Sequence, residues 1–510
     1  MKETITSVVM RWKGNFFVAF RRVASVIVIA VLAQAQAPSI SSPAPHTRWY
    51  ESAAALRNVS LKDNTAYPQF PLDPAKAENQ LRVLKEQGFT GIQVFAPADG
   101  GRSYNGLDSR DHFRIEPKYG SIADFKRMVQ IAHSLNMPVV IFNNLGYSAV
   151  DAPSFLKACD DVRNHRESPE VHWFFWSDSK DAPPPATGDR YFLVRPAWLV
   201  NYRPEERERW VYNDRAQRYY WTRWPGKDDQ GNIVDLPQYN WASPEWQQEA
   251  EKIVRFWMNS GIDGMVVDAV NWYVGYTWEI GHRRITDVIN SYGDKYSQPE
   301  GGGGFQEDPV AWISEGGWTS VQDYGLSTWW AKPRMILENA IEAGDPRSIE
   351  ESLRSYHDPV VAARGTVNFS LGAMKAAPQK QLLATAILAA TGHLITDWSH
   401  AQEPIGSDLE VQWLFKTKAA HPALYQLGSR RKLPTNNDAR YYAFLRTASD
   451  QSERVLVVTN FWATPQDVTV DLSGVRAQSL TDIRSGAKQS RESSVTFSVP
   501  PLGYRFFTIQ

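Results

Sequence analysis

The feature that most constrains the fold of this chain is a regular alternation of amphipathic and apolar segments between residues 48 and 433. The segment AENQLRVLKEQG (77–88) has apolar residues at helical spacing and ends in glycine, and the apolar run GIQVFAP (91–97) follows it. SIADFKRMVQIAHSLN (121–136), with Ser121 as the predicted N-cap, precedes PVVIFNN (138–144) in the same way. This alternation is typical of a parallel β-sheet covered by helices.

Eight apolar segments are candidate strands of one sheet, which predicts an α/β protein with a closed (β/α)8 TIM barrel over residues 47–433. They are TRWYES (47–52), GIQVFAP, PVVIFNN, GMVVDAV (264–270), VAWISE (310–315), RMILEN (334–339), GTVNFS (365–370) and HLITDW (393–398). Residues 148–240 interrupt the alternation and are too long for an ordinary connection, so we interpret them as a loop domain inserted after strand three. Residues 434–510 contain alternating strands without helices, which predicts a C-terminal β-sandwich domain.

The N-terminus has the pattern of a secretory signal peptide, which we assign to residues 1–37. Basic residues precede the apolar run VASVIVIAVL, and Ala33-Gln34-Ala35 fits a small-x-small cleavage site; an uncleaved signal anchor is the alternative. Residues 38–46 form a Pro/Ser-rich leader for which we expect no ordered structure. No later segment is long and apolar enough to cross a membrane, and a lone cysteine, Cys159, cannot form an internal disulfide. We therefore expect a periplasmic or secreted protein.

Charge and aromatic content point to the class of ligand. The formal net charge of −1 gives no electrostatic basis for binding nucleic acid or an anionic membrane. The chain has 20 Trp, 21 Tyr and 22 Phe, and many occur in clusters such as HWFFW (172–176) and YYWTRW (219–224). Flat apolar rings with a polar edge suit the C–H faces of sugars, although core packing is the alternative for most of them.

Three stretches together resemble the α-amylase family, glycoside hydrolase family 13. YNGLDSRDHFRIEPKYGSIADFKRMV resembles the region after the second strand of that family, which implies that Asp108 contacts sugar. DLPQYNWASPEWQQEAEKIVRFWMNSGIDGMVVDAV resembles the approach to the fourth strand, which implies that Asp268 is the nucleophile. WLFKTKAAHPALYQLG and the β-rich tail resemble the end of the barrel and the C-terminal domain. The resemblance implies hydrolysis of α-linked glucosides, with carbohydrate as the partner and no cofactor. Calcium is common in the family, but no cluster of acids for it is visible.

The chain also departs from that family, which predicts a divergent member. Val266 stands where the family has an arginine, two residues before the nucleophile. After strand three, Phe142, Gly146 and Tyr147 replace an aspartate and an Asn-His pair. After strand seven, Asn-Phe-Ser (368–370) replaces Asn-His-Asp, so the third acid of the family is missing from its usual place.

Cleaving a glycosidic bond requires two carboxyl groups, one to protonate the leaving oxygen and one to attack the anomeric carbon or activate water. For Asp268, the alternatives to nucleophile are a helix cap or a structural ion pair. For the acid/base, we favour Glu315 because it leaves RMILEN free to be strand six; Glu338 is the alternative. A carboxyl separation of about 5–5.5 Å would indicate retention of configuration, and about 6.5–9.5 Å inversion.

Other residues near the predicted strand ends are candidate substrate contacts. Asn271 and Trp272 would line the rim, with helix capping as the alternative for Asn271, and Trp318 could form a sugar platform. Arg364 could replace the missing arginine or form a surface salt bridge. Asp397 or Asp323 could replace the third aspartate, although each could equally be structural.

The leading hypothesis is an exported glycosidase acting on oligosaccharides or a disaccharide, by hydrolysis or by transfer to another sugar. No additional starch-binding module is visible, which argues against raw starch. One alternative is an inactive barrel that binds glycan, and another is a hydrolase of a different glycosidic linkage on the same barrel.

Overall fold

The computed structural model describes most of the chain from Thr47 to Gln510. The described residues are 47–63, 65–101, 106–185, 208–227, 230–270, 273–275, 277–300, 308–323, 326, 336–372, 377–400, 405–490 and 492–510. The predicted signal peptide and leader lie outside them. Within these ranges, every helix is too short or too polar to cross a bilayer.

Eight parallel strands form one sheet that nearly closes into a barrel, as the sequence predicts. The strands are β1 Ala55–Ser60, β2 Gly91–Phe95, β3 Val139–Asn143, β4 Gly264–Val267, β5 Tyr296–Pro299, β6 Ser320–Gln322, β7 Thr366–Leu371 and β8 Leu394–Asp397. Their order in the sheet is β5-β4-β3-β2-β1-β8-β7-β6. At the seam between β5 and β6, the Thr319 amide donates to the Ser297 carbonyl at 3.2 Å.

Helices alternate with these strands and cover the outside of the barrel. The longer ones are α1 Pro74–Glu86, α2 Ile122–Ser134, α3 Pro153–Arg163, α4 Pro244–Met258, α5 Arg284–Asn290, α6 Ile336–Ala343, α7 Pro378–Thr391 and α8 Leu409–Ala420. Shorter helical segments are Trp49–Ser52, Pro169–His172, Trp278–Arg283, Pro309–Ser314, Arg347–Ser352, Leu353–His357 and Asp358–Ala362. Ser121 caps α2 as predicted, because its side chain accepts the Asp124 amide and Asp124 accepts the Ser121 amide in return.

Three of the predicted strands are wrong. TRWYES contains a helical turn, Trp49–Ser52, and β1 follows it. VAWISE lies largely in the helix Pro309–Ser314, and the described part of RMILEN begins α6. In α6 the buried residues Leu337, Ala340 and Ile341 recur three and four positions apart, so one face of a helix is buried rather than both faces of a strand. The fifth and sixth strands are instead the short polar segments YSQP and SVQ.

Side chains along each barrel strand alternate between the interior and the surrounding helices. Val266 and Tyr296 belong to the interior apolar cluster, which also contains Leu56, Phe95, Phe142 and Leu394. Polar interior residues pair with each other: Gln93 donates to Asn58 at 3.0 Å, and Asn368 donates to Thr396 at 2.8 Å. Because side chains two positions apart share a face, residues 268 and 300 continue the interior rows of β4 and β5 at the carboxyl end of the barrel.

The region interpreted as an insertion contains α3, a short helix and a small antiparallel sheet. The strands of that sheet are Trp176–Ser177, Arg209–Asn213, Arg218–Lys227 and Ile233–Pro237. Residues 186–207 lie outside the described part of the chain. The end of this region contacts the loop after β3, where the Gln238 side chain donates to the Gly146 carbonyl at 2.6 Å.

The C-terminal region is a β-sandwich, as predicted. Its strands are β9 Ser429–Leu433, β10 Tyr441–Thr447, β11 Arg454–Asn460, β12 Gln466–Asp471, β13 Ser479–Asp482, β14 Lys488–Ser490, β15 Ser494–Val499 and β16 Tyr504–Ile509. Six of them form an antiparallel sheet in the order β9-β10-β11-β16-β13-β14, and β12 pairs with β15. Buried residues of both sheets, such as Leu456 and Val468, share one apolar core.

Candidate active site

Asp268 and Glu300 meet at the carboxyl ends of the adjacent strands β4 and β5. The parallel ladder brings them together: the Glu300 amide donates to the Val267 carbonyl at 2.8 Å, and the Val270 amide donates to the Glu300 carbonyl at 3.2 Å. A side-chain hydrogen bond joins the two carboxyl groups. Active sites of β/α barrels lie at this end of the strands, so these residues form the candidate catalytic pair.

The backbone at Ala269 helps to fix Glu300. The Ala269 amide donates to Glu300 Oε2 at 3.0 Å. Ala269 adopts φ +45°, a left-handed conformation that residues with a Cβ rarely occupy. Such conformations persist where the surrounding structure enforces them, often at functional sites. Here the conformation aims an N–H at the carboxyl group of the neighbouring strand.

Burial raises the pKa of both carboxyl groups. Asp268 is 6% exposed, and its pKa rises well above the ordinary value because of burial first and the nearby Glu300 second. The pKa of Glu300 is raised by burial, against the opposing effect of its hydrogen bonds from Asp268 and from the Ala269 amide. Since two adjacent carboxylates repel each other, the pair retains a proton at a pH where isolated acids would have lost theirs.

Aromatic side chains line the barrel mouth beside this pair. Phe95 and Phe142 stack at 5.2 Å, and Trp398 meets them edge-on at 5.9 and 5.3 Å. Tyr67 packs against Phe95 at 5.0 Å, and its pKa is raised by burial and by the charge of Glu300. Phe95 and Phe142 are buried packing residues, whereas Tyr67 and Trp398 are only partly buried, so their rings are the ones that a sugar could contact.

Two residues that stand where the family has charged residues, Val266 and Ser370, are uncharged and lie inside the barrel. Val266 is 2% exposed and packs in the interior apolar cluster with Phe142. Ser370 accepts a hydrogen bond from Gln322 at 3.1 Å within the barrel. Amide and hydroxyl groups therefore occupy the interior of β7, where the family has its third acid.

Asp108 lies in the loop after β2, fully buried. The adjacent Leu107 carbonyl accepts a hydrogen bond from Asn144, in the loop after β3, at 3.2 Å. Lys62 donates to the Gly106 carbonyl at 2.8 Å; burial lowers the pKa of Lys62 to about 8, against the opposing charge of Asp108. The structure thus places Asp108 near a buried cation among the loops at the carboxyl end of the barrel.

Neither glutamate predicted as acid/base ends a strand. Glu315 is exposed at the end of the helix Pro309–Ser314, and its carbonyl accepts from Arg283 at 2.5 Å. Glu338 is buried in the first turn of α6. The prediction that Glu315 ends strand five is wrong, because the apolar segment before it, VAWIS, forms a helix that precedes β6. Glu315 therefore lies at the opposite end of the barrel from Asp268.

Trp318 and Arg364 also precede strands, so they lie at the amino end of the barrel. The Trp318 indole is buried and donates to His282 at 3.0 Å, which makes it a packing residue rather than a sugar platform. Arg364 is exposed, one residue before Gly365 and β7, and its carbonyl accepts from Arg48 at 3.5 Å. It cannot replace an arginine beside Asp268.

Asp397 faces outward from β8 and forms an ion pair with Arg57 at 2.7 Å. Its other oxygen accepts the Ser399 amide at 2.8 Å. Asp323 pairs with His393 at 2.7 Å, and both are buried. These acids are structural, because buried partners already occupy their carboxylates, so neither replaces the third aspartate. Asn271 and Trp272 lie outside the described residues, and their predicted contact with substrate stays a prediction.

Glu300 is the residue that sequence reasoning missed. The strand before it, YSQP, has four residues and no apolar run, so it gives no hydrophobic signal. Two weaker signals were present: the segment follows the helix RITDVIN, and Glu300 stands directly before the glycine run 301–304, as a residue at the end of a strand would. Those glycines lie outside the described residues.

A metal site would require several ligands in one place. Among the described residues, no three His, Cys, Asp or Glu side chains are grouped so that they could hold a metal ion.

Two parts of the chain, one in the barrel and one in the C-terminal domain, are similar to known protein families. The α-amylase catalytic domain model matches residues 77–300, ending at Glu300, and the maltogenic amylase C-terminal domain model matches residues 431–506. Residues 77–300, which contain Asp268 and Glu300, are therefore similar to the catalytic domain of the α-amylase family. Trehalose synthase of Thermus thermophilus is 27% identical over 226 residues, which are 44% of this chain and 20% of that relative. Probable oligo-1,6-glucosidase 3 of Bacillus subtilis is 23% identical over 191 residues, 38% of this chain and 30% of that relative.

The chain matches these two relatives over only a fifth to a third of their length. The fold agrees over a much longer part of the chain. The structure of Eubacterium rectale Amy13B superposes with a TM-score of 0.66 at 14% identity, covering 90% of this chain and 96% of that one. The shared architecture is therefore the whole barrel with its C-terminal domain.

Proposed function

We propose that this protein is an exported glycosidase that cleaves α-glucosidic bonds in oligosaccharides or a disaccharide, passing the sugar to water or to a second sugar. The observation that carries the proposal is the meeting of Asp268 and Glu300 at the ends of adjacent barrel strands. Both matched relatives named above are enzymes of glucoside chemistry by name, which supports the substrate class. The aromatic cluster at the barrel mouth supports binding of a sugar ring.

In this proposal Glu300 is the general acid and Asp268 the nucleophile. Glu300 gives its proton to the glycosidic oxygen as the bond to the anomeric carbon breaks, and an Asp268 oxygen forms the new bond to that carbon. Glu300 then removes a proton from the incoming water or sugar hydroxyl, which displaces Asp268 and restores both groups. Burial raises the pKa of Glu300, which suits the acid. The pKa of Asp268 is raised as well, so the proton that the pair shares must pass to Glu300 as the two groups separate, before Asp268 can attack.

The pair must open for this chemistry. Carboxyl groups joined by a hydrogen bond are closer than the roughly 5–5.5 Å of retaining glycosidases or the 6.5–9.5 Å of inverting ones. A sugar entering the mouth would replace the hydrogen bond between Asp268 and Glu300 with its own contacts to each.

The direct contact of the two carboxyl groups also favours a second candidate, a barrel that binds glycan without cleaving it. Val266 and Ser370 provide no charge where the family has an arginine and an acid. If the pair stays closed when sugar binds, the protein is a glycan-binding protein and not a glycosidase.

Turnover of a panel of α-glucosides, including 4-nitrophenyl α-glucoside, separates these candidates. We expect Asp268→Asn to lower kcat by about 10³-fold or more on every substrate. Glu300→Gln should lose much less kcat/KM on the activated nitrophenyl substrate than on natural glucosides, because cleavage with that leaving group needs little protonation. Glu315→Gln is the matched control and should leave kcat within about two-fold, since Glu315 is exposed at the far end of the barrel. Binding of sugar without turnover by the wild type, unchanged in Asp268→Asn, would favour the glycan-binding candidate.

Export is the part of the proposal that the pattern of residues 1–37 supports. Expression of the full chain in a Gram-negative host, followed by fractionation and intact mass measurement, tests it. We expect a periplasmic protein that has lost about the first 35 to 37 residues. A full-length protein held in the membrane would instead support the signal anchor.

A further inference from the structure

Tyr147 donates a hydrogen bond directly to the proposed nucleophile. Its hydroxyl lies 3.1 Å from Asp268 Oδ2, and the side chain is 3% exposed. Tyr147 is in the loop after β3, the neighbour of β4 in the barrel, so the loop and the nucleophile approach each other from adjacent strands. The order of the strands in the barrel therefore brings the Tyr147 hydroxyl and Asp268 together.

The loop that carries Tyr147 is held on several sides. The Asn144 side chain donates to the Tyr147 carbonyl at 2.7 Å and accepts the Gly146 amide at 2.7 Å. The Gly146 carbonyl accepts the Gln238 side chain and the Tyr239 amide. These bonds fix the backbone on both sides of Tyr147, so the hydroxyl reaches Asp268 in one defined position.

We propose that Tyr147 is the positioning residue of the nucleophile: its hydroxyl aims Asp268 Oδ2 and stabilises the ionised carboxylate when the pair opens. This inference rests on the proposed function of Asp268. Burial and Glu300 both oppose ionisation of Asp268, and the Tyr147 hydrogen bond favours it by lowering the pKa. A hydrogen bond to the charged form has that effect because it is lost on protonation.

A neutral donor suits the surroundings of Asp268. Val266 and Phe142 make the adjacent interior apolar, so a guanidinium there would have to lose its hydration even if it paired with Asp268. A tyrosine hydroxyl supplies a directed hydrogen bond without a second buried charge. The consequence is a nucleophile that ionises at a higher pH than one beside a cation, and that depends on Tyr147 to do so.

The first test is the pH dependence of kcat/KM for Tyr147→Phe. The ring keeps its packing while the donor is lost, so we expect the acid limb to move up by about one pH unit and kcat to fall about 10- to 100-fold. The loss should be similar on natural and nitrophenyl substrates, because attack by Asp268 limits both, while KM changes little.

Tyr273→Phe is the matched control. It removes the hydroxyl that accepts the Leu145 amide at 3.0 Å in the same loop, one residue away from Gly146. We expect Tyr273→Phe to have a lower melting temperature than the wild type, while the acid limb of its kcat/KM profile stays at the wild-type pH. If the two variants shift the limb equally, Tyr147 supports only the loop and the proposal is overturned.

The second test needs no turnover. Because the pKa of Asp268 is raised by folding, the folded protein binds protons more tightly, and stability is lost as the pH rises above about 4. Between pH 5 and 8 we expect the melting temperature of Tyr147→Phe to fall more than that of the wild type, and that of Asp268→Asn to fall less. Equal falls in all three proteins would contradict the proposal. If the wild type cleaves no glucoside but these profiles separate as expected, the glycosidase proposal fails, while the stabilisation of ionised Asp268 by Tyr147 is confirmed.

Discussion

Gly146 is the position where a single methyl group should disable the site. A Cβ at residue 146 would lie 2.3 Å from Cε1 of Tyr273, whereas ordinary contact begins near 3.4 Å, so the loop and the ring must separate by about 1 Å. The Tyr273 ring is fully packed, since it is 1% exposed and stacks on Trp241 at 5.8 Å. We therefore expect the loop to move, and Tyr147 with it.

The expected effect of Gly146→Ala on activity is larger than its effect on stability. Overpacking of this kind costs about 1–3 kcal/mol. At roughly 2.1 cal/mol/K of unfolding entropy per residue, a chain of this length loses about 1 °C of melting temperature per kcal/mol. Displacing the hydroxyl that positions Asp268 by about 1 Å can lower kcat about 10²-fold. Calorimetry and initial rates on the same preparation give both quantities.

A double-mutant cycle tests the steric reasoning. In a Tyr273→Ala background the added methyl group has room, so the further loss of kcat caused by Gly146→Ala should shrink by at least about five-fold. Gly474→Ala is the matched control, because a Cβ there meets its nearest neighbour, Arg431, at an ordinary 3.7 Å. The reasoning is refuted if Gly146→Ala retains full activity, or if it loses as much activity without the Tyr273 ring as with it.

Two further predictions concern buried charges outside the pair. Asp397→Asn leaves the Arg57 side chain, which is 3% exposed, without its ion-pair partner. We expect the free energy of unfolding to fall by about 3–5 kcal/mol and the melting temperature in calorimetry to fall by about 3–5 °C. Unchanged stability together with a raised KM would instead indicate that Asp397 contacts substrate. Lys418 is fully buried, donates to the Ala53 carbonyl at 2.8 Å, and has a pKa lowered by burial to about 7. Between that pH and about 10.4 the unfolded chain binds a proton that the folded chain lacks, so unfolding free energy should rise with pH in the wild type relative to Lys418→Met. Urea titrations at pH 7 and pH 9 measure this, and parallel pH profiles of the two proteins would contradict it.

The sequence by itself determined the architecture. Helix–strand alternation specifies a parallel sheet because each helix must bury its apolar face on strands that are themselves apolar on both sides. GMVV and its terminal Asp268 could be placed because a central strand needs a continuous apolar run, which stands out beside the helix that precedes it. The same reasoning separated the C-terminal β-sandwich from the barrel.

Only the tertiary structure decided which glutamate faces Asp268. YSQP is a strand because its polar side chains find partners inside the barrel: the Tyr296 hydroxyl donates to Gln298 and also lies 3.2 Å from the Ser320 hydroxyl. The hydrophobicity of a short segment does not reveal such partners. VAWIS and RMILEN are more apolar than the actual fifth and sixth strands, YSQP and SVQ, and are therefore predicted as strands in their place. A strand misplaced by one element assigns Glu315 to the wrong end of the barrel.

The sequence also could not show where the side chains of Asp397, Asp323 and Arg364 point. Each stands beside a strand in the sequence, yet whether a side chain faces the mouth, the helices or solvent depends on register and on which end of the strand it occupies. A one-residue shift reverses the face, and that shift is fixed by pairing with neighbouring strands far away in the chain. The contact between Tyr147 and Asp268 arises in the same way, from two adjacent strands separated by the whole inserted region.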